Sequence, residues 1–223
     1  MARQIYKTQD GKRLPSVTTI LGRFRESGGL IRWANKEGLA GRNSDHSRDE
    51  AAITGNLAHR MIELHIRGED PLSIADEVND ADKHKLGEAS HAFDQFIAWL
   101  NQAGITLTES ELKLIKDQEE MGYGGTIDAI GIRNGALVLL DWKTSRSLHV
   151  DVLLQVAAYG MLLKRARDIN VSEYHVVRFS KTEHVWEHRV FEHGQLDPAR
   201  LMFLSLVDAY YYDAQVNKIF ESQ

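Results

Sequence analysis

The chain contains no cysteine. Disulfides, thiolate zinc sites and iron–sulfur clusters are therefore excluded, and a cytosolic setting is the natural expectation. Only three prolines occur, and no Pro/Ser-rich stretch marks a linker between domains. Apolar runs are short: segments such as Ala136–Leu140 fall far below the ~20 residues that span a bilayer, so no membrane association is expected. The N-terminus, Met-Ala-Arg-Gln-Ile-Tyr-Lys-Thr-Gln-Asp, lacks the apolar stretch of a signal peptide. A net positive charge is also absent. The net charge is −5 and the pI is near 6.1, so no global field announces a nucleic-acid binder. What remains is an ordinary globular mixture, 43% hydrophobic and 26% charged over 223 residues, which suits one domain with a sizeable core.

Local signals divide the chain. Gln4 to Thr8 and Lys12 to Val17 read as a hairpin about Asp10-Gly11, and Ser16 is placed to cap a short helix. Helical periodicity covers Leu30–Leu39, Asp49–Arg67 and Ala81–Gln102. In the last of these, Ala89, Phe93, Phe96, Ile97 and Leu100 share a face. From Leu21 to Arg48, six Lys/Arg against three Asp/Glu form a local basic excess. Beyond Gly104 the period shortens. Ile105–Ile115, Gly125–Ile132 and Ala136–Thr144 read as strands, with Asn134-Gly135 turning between the last two. A helix apolar almost all round, Val150–Arg165, comes next. Strands at Glu173–Phe179 and His184–Phe191 then precede a final helix from Pro198 to Val216. The order predicts an α/β fold with a mixed sheet.

Asp141-Trp142-Lys143 closes the apolar run Ala136–Leu140. Strand alternation puts Asp141 and Lys143 on one face, at the rim of a core, where charges need a partner or a metal. The acid-x-Lys pattern occurs three times, at Asp10, Glu111 and Asp141, but only Asp141 has this buried-strand context. Taken alone, the pair reads as a rim salt bridge. Asp128, in Gly124-Gly125-Thr126-Ile127-Asp128, lies on the strand that hairpins onto it. Neighbouring strands run ~5 Å apart, so the two carboxylates could share a hard cation. The glycines lead into a strand, not a helix, which rejects a dinucleotide fingerprint and leaves close packing as their reading. His59 sits at the edge of a helical apolar face with Glu63 one turn on, a place where histidines more often pack than bind. Gln155 and Tyr159 share a face of the buried helix, and a buried glutamine needs partners.

Together, His59, Asp128, Asp141-Trp142-Lys143 and Gln155…Tyr159 resemble, in chain order, the PD-(D/E)XK nucleases of the RecB-like exonuclease branch. Pro15-Ser16-Val17-Thr18-Thr19-Ile20-Leu21, the Leu30…Trp33 pair and Gly55…His59…Glu63 look like phage exonucleases and the mitochondrial genome maintenance exonuclease. The resemblance covers roughly residues 14 to 160. It implies a restriction-endonuclease-like core, a central mixed sheet flanked by helices, with an N-terminal helical portion. Residues 1–223 would form one nuclease domain, with hairpin and helices to 104 and the catalytic core from 105. Mg²⁺ or Mn²⁺ would be held by His59, Asp128, Asp141 and the Trp142 backbone carbonyl. Lys143 would act on the attacking water or the transition state, and Glu111 stands where many members carry a further acid. Gln155, Tyr159, Ser16, Thr18 and Trp33 would meet DNA, together with the basic segment. The implied substrate is linear DNA with a free end, in recombination, repair or replication within a bacterial or phage-infected cytoplasm. A single-strand annealing or recombination protein would be a partner; oligomeric state is left open. Related helicase-associated and CRISPR-adaptation nucleases often carry four cysteines about an iron–sulfur cluster, from which this chain departs.

Competing classes are a zinc hydrolase, a site- or structure-specific endonuclease of the same fold, and a DNA-binding module without activity. The first lacks His-Glu-x-x-His, and its candidates His184 and His188 fall on a polar strand. The second would need a recognition subdomain that is not apparent. The third would be expected to have lost an acid or the lysine, and all are present.

Overall fold

The computed structural model describes residues 4–25, 28–117 and 121–222. The chain opens on a hairpin, Tyr6–Lys7 (β1) against Arg13–Leu14 (β2). Helix α1 (Val17–Phe24) starts where Ser16 Oγ accepts the Thr19 N–H at 2.9 Å, satisfying a first-turn donor that would otherwise face only solvent. Helices α2 (Gly28–Leu39), α3 (Ser44–Ile66), the single turn α4 (Ile74–Glu77) and α5 (Leu86–Ala103) follow.

A five-stranded sheet then forms from β3 (Thr106–Lys116), β4 (Tyr123–Arg133), β5 (Ala136–Lys143), β6 (Glu173–Phe179) and β7 (Trp186–Glu192), in that spatial order. All pairings are antiparallel except β5 with β6, which needs a crossover. Helix α6 (Asp151–Arg167) supplies it, and α7 (Asp197–Glu221) closes the chain. The β4–β5 turn is Asn134-Gly135, with φ +51° and +77°, the left-handed pair that a two-residue hairpin requires.

Both faces of the sheet are covered. On one, Leu139, Tyr174 and Val176 pack with Ile20 of α1, Ala158 and Leu162 of α6, and Phe203 of α7. On the other, Val138, Leu140, Trp142 and Phe179 pack with Met61 of α3 and with Phe96 and Trp99 of α5. Trp142 stands edge-on to Phe96 and Trp99, with ring centroids 5.5 and 5.6 Å away. Each such side chain adds roughly 1.5–3 kcal/mol by burial, so the aromatic cluster fixes the end of β5. A mixed sheet between helical layers, preceded by a helical portion, is a restriction-endonuclease-like core. No helix among the described residues is long and apolar enough to cross a membrane.

The departures from the sequence expectations are local. Helix α3 begins at Ser44, five residues before Asp49, because Asn43 Oδ1 accepts from Asp45 N and His46 N. Helix α5 begins at Leu86, not Ala81, because Asn79 and Asp82 bond each other in a turn ahead of it. Its buried stripe is Ala89, Ala92, Phe96 and Trp99, with Phe93, Ile97 and Leu100 on the margin. Strand β7 starts at Trp186, since Ser180 Oγ accepts from Thr182 N and Glu183 N in the preceding turn. Helix α7 runs on past Val216 to Glu221.

Candidate active site

The β4–β5 ladder runs from Arg133↔Ala136 to Ala129↔Leu140 and stops. The next residue on each strand is an aspartate, so two acids flank a fork in the sheet. Asp128 Oδ2 accepts the Trp142 backbone N–H at 2.7 Å, which satisfies the donor freed where the ladder ends. Asp141, fully buried, turns toward α6. Its Oδ1 accepts from Gln155 Nε2 at 3.1 Å, and the other Gln155 N–H reaches Tyr159 Oη at 3.0 Å. Asp141 Oδ2 is ion-paired with the Lys143 ammonium, yet no hydrogen bond of good geometry reaches it. The two glycines before Asp128 admit aromatic rings: a Cβ on Gly124 would sit 2.3 Å from Tyr6 Cδ1, and one on Gly125 2.7 Å from Tyr159 Cε1. Close packing is thus their structural role.

Two further groups converge on Asp128. His59 comes from the side of α3 that also buries Ala58 and Ile62, and its Nδ1 lies 3.7 Å from Asp128 Oδ1. Glu111 lies on β3 between the ladder pairs Ser110↔Ala129 and Leu112↔Ile127, with φ at +52°. For a non-glycine residue this left-handed backbone costs roughly 1–2 kcal/mol, and such strain clusters at functional sites. His59, Glu111 and Asp128 offer ligand atoms all within 4.8 Å of one another. The sequence-based ligand set placed Asp141 with His59 and Asp128. In the structure Glu111 joins that pair, while Asp141 stands beside it, turned to Lys143 and Gln155.

The electrostatics describe a site short of positive charge. Burial pushes Asp128 up to about 6, with Lys143 and the Trp142 N–H opposing. Burial likewise raises Asp141 to about 6 against the pull of Lys143. Glu111 rises to about 8, through burial first and then the charges of Asp128 and Glu63. His59 falls to about 4, through burial and the neighbouring Lys143, so it stands neutral with a lone pair to give. Three raised carboxylates and a neutral imidazole, oxygen and nitrogen donors with no sulfur, fit a hard divalent cation.

This predicts a pH-dependent stability difference. Because Glu111 holds its proton more tightly folded (about 8) than unfolded (near 4.5), it has little effect below pH 4.5, and stability is lost as pH rises from there toward 8. In chelator, Glu111→Gln should therefore exceed wild type in melting temperature at pH 8 by several degrees, on the order of 1–2 kcal/mol. At pH 5 the two should nearly coincide. An equal offset at both values would show that ionisation of Glu111 is not the cause.

Three clefts share Ser145 in their lining. The first, of about 670 Å³, contains His59, Glu111, Asp128, Lys143 and Lys181. The second, of about 860 Å³, holds Thr18, Trp33, Lys143 and Gln155 with Arg25 and Arg32. The third, of about 980 Å³, lies between α2, α3 and the β6–β7 turn. Thr18 is exposed at the rim, whereas the Ser16 hydroxyl is engaged by Thr19 N and by the hydroxyls of Thr18 and Thr19. The basic segment spans α1 to α3, apart from residues 26 and 27, which lie outside the described residues. Sequence reasoning missed Lys181, which only the folding of the β6–β7 hairpin brings to the site. The zinc candidates are engaged elsewhere. His188 Nδ1 accepts from Trp99 Nε1 at 3.2 Å and its Nε2 meets His175 Nδ1 at 2.9 Å, while His184 Nδ1 pairs with Gln95.

An acidic fork in a mixed sheet, an acid-x-Lys strand end and a helix histidine stand together in a restriction-endonuclease-like fold. A family model of the PD-(D/E)XK nuclease superfamily matches residues 30–218, and the chain belongs to that superfamily. No curated protein matches the chain at a significant level. Among solved structures, a candidate exonuclease from Eubacterium rectale is similar at 12% identity, with a TM-score of 0.49 over 70% of this chain and 64% of that one. An alkaline exonuclease from Laribacter hongkongensis gives 11% identity and a TM-score of 0.32, over 66% of this chain and 91% of its own. The chain thus spans just under two thirds of the length of the first of these.

Proposed function

We propose that the protein is a divalent-metal-dependent exonuclease of the RecB-like branch, hydrolysing phosphodiester bonds from the ends of linear DNA, with residues 1–223 acting as one unit. The observation that carries the reading is the convergence of His59, Glu111 and Asp128 at the strand fork, beside the Asp141–Lys143 pair. His59, Asp128 and Glu111 would hold Mg²⁺ or Mn²⁺, with Asp141 Oδ2 and the Trp142 carbonyl as adjoining donors. Bound there, the cation supplies Lewis acidity toward phosphate and a more acidic water.

The chain's own residues do the remaining work. Lys143, 27% exposed and shared by two clefts, orients the attacking water and offsets charge that grows on the phosphate oxygens. Asp141 holds that ammonium in place. Gln155 fixes Asp141 through one N–H and Tyr159 through the other, so the Gln155…Tyr159 pair keeps the α6 side of the site rigid. Thr18, Trp33 and the arginines of the second cleft contact the strand, with Trp33 as a surface for an unpaired base.

End dependence is the test. With Mg²⁺, linear DNA labelled at one end should shorten progressively while covalently closed circles survive. Discrete internal cuts in intact circles would replace this reading with an endonuclease. Retention of both substrates with Mg²⁺ and with Mn²⁺ would replace it with a binding module.

A further inference from the structure

Lys181, in the turn that joins β6 to β7, lines the first cleft but not the second. Its Nζ donates to the Ala51 carbonyl of α3 at 3.0 Å. That oxygen lies within a helix, and it leaves two ammonium N–H groups for other acceptors. No carboxylate lies within ion-pair distance of Lys181 among the described residues, although the side chain is half-buried and burial lowers its pKa. The charge of Glu88 offsets this only in part, and a partly desolvated cation with no carboxylate in contact is costly unless a ligand supplies negative charge.

Its surroundings indicate which anion. Lys181 belongs to both the first cleft and the third, as Lys143 belongs to both the first and the second. The third cleft also carries Arg146, together with Arg42, Arg48 and Arg178, which are ion-paired with Glu37, with Asp45 and Asp49, and with Glu187. Two of its three acids are already engaged: Glu37 takes a two-pronged bond from Arg42 and another from Ser47, and Glu88 is bonded by Thr54 and Lys85, while Glu183 is exposed. Arg146 is exposed and makes no ion pair among the described residues. The hydroxyls of Ser180 and Thr182 add neutral donors. A path lined this way fits a chain of phosphates better than a lone carboxylate, because it offers cations at intervals along its length.

We propose that Lys181 anchors the DNA backbone phosphate next to the scissile one, and that the third cleft carries the flanking strand. The inference rests on the nuclease reading of the first cleft. A strand passing from the third cleft into the first would bring one phosphate to Lys181 before the next reaches the acidic group and Lys143. Lys181 is then a substrate-positioning residue contributed by the hairpin turn, and Arg146 is an outer contact on the same path.

The test pairs a substitution with a neutral phosphate. Methylphosphonates are placed one at a time along a labelled strand, and cleavage by wild type is compared with Lys181→Gln, Lys181→Arg and Arg146→Gln. In wild type, neutralising the flanking phosphate should slow cleavage about tenfold. Lys181→Gln should slow the unmodified strand by a similar factor, and the methylphosphonate should then add little. Lys181→Arg should retain most activity and the wild-type interference pattern. Binding measured in Ca²⁺ should show the logarithmic salt slope falling by about 1 for Lys181→Gln and for Arg146→Gln. If Lys181 only props the hairpin against α3, Lys181→Gln will lower the melting temperature yet leave the interference pattern and salt slope unchanged, which would overturn the proposal. Cleavage by wild type with no interference at any flanking phosphate would overturn it too, while leaving the nuclease reading intact. No cleavage and no DNA binding by wild type would instead remove that reading, and this inference with it.

Discussion

Lys143→Ala should reduce DNA cleavage by about 10³-fold or more while leaving DNA binding in Ca²⁺ close to wild type. The ammonium is ion-paired with Asp141 at the end of β5, and it opens to the clefts where substrate would lie. Charge accumulates on the phosphate oxygens only as the bond to water forms, so a cation fixed there acts on the transition state far more than on the bound ground state. Affinity, in contrast, comes from many phosphate contacts, and loss of one changes it modestly. Folding has to be separated from chemistry, because removing Lys143 leaves the buried Asp141 without its cation. Asp141 already titrates above the ordinary carboxylate range through burial, so it can answer by taking a proton. The double variant Lys143→Ala/Asp141→Asn removes the unpaired charge altogether; it should recover the melting temperature but not the activity. Single-turnover rates within a factor of about three of wild type would show that Lys143 has another role.

Much of this site was legible because its parts are local. The apolar run Ala136–Leu140 ends at Asp141, and Asn134-Gly135 fixes the hairpin register that sets Asp128 opposite it. Ser16 was recognisable as a cap, and the strand at Glu173–Phe179 matches its expected bounds. What escaped depends on the third dimension. Nothing in the composition of β3 announces that Glu111 takes a left-handed backbone and swings into the group with His59. Periodicity put Ala89, Phe93, Phe96, Ile97 and Leu100 on the buried face of α5. The structure moves it to Ala92 and Trp99, because Trp99 reaches both the Trp142 ring and His188 across the sheet. Residues far from any motif, such as Lys181, enter the site only because a hairpin turn touches the middle of α3.

The second large effect concerns the cation itself. His59, Glu111 and Asp128 cluster although burial opposes the charge on both acids, and a divalent ion bound only by the folded state would offset that cost. At 100 times its dissociation constant the ion adds about 2.7 kcal/mol, which raises the melting temperature by several degrees in a chain of this size. Asp128→Asn is the discriminating variant. The amide oxygen can still accept the Trp142 N–H, so the fork is preserved, while the ligand charge is removed. The decisive measurement is the cleavage rate of end-labelled linear DNA as Mg²⁺ is titrated from excess EDTA, for wild type and Asp128→Asn, with melting temperatures recorded at each point. Wild type should show no cleavage in EDTA, then a rate and a melting temperature that rise together and saturate. Asp128→Asn should fold as well as the metal-free wild type, yet gain neither. Undiminished cleavage in EDTA, or a wild-type metal response from Asp128→Asn, would contradict the assignment of this fork as the metal-dependent centre.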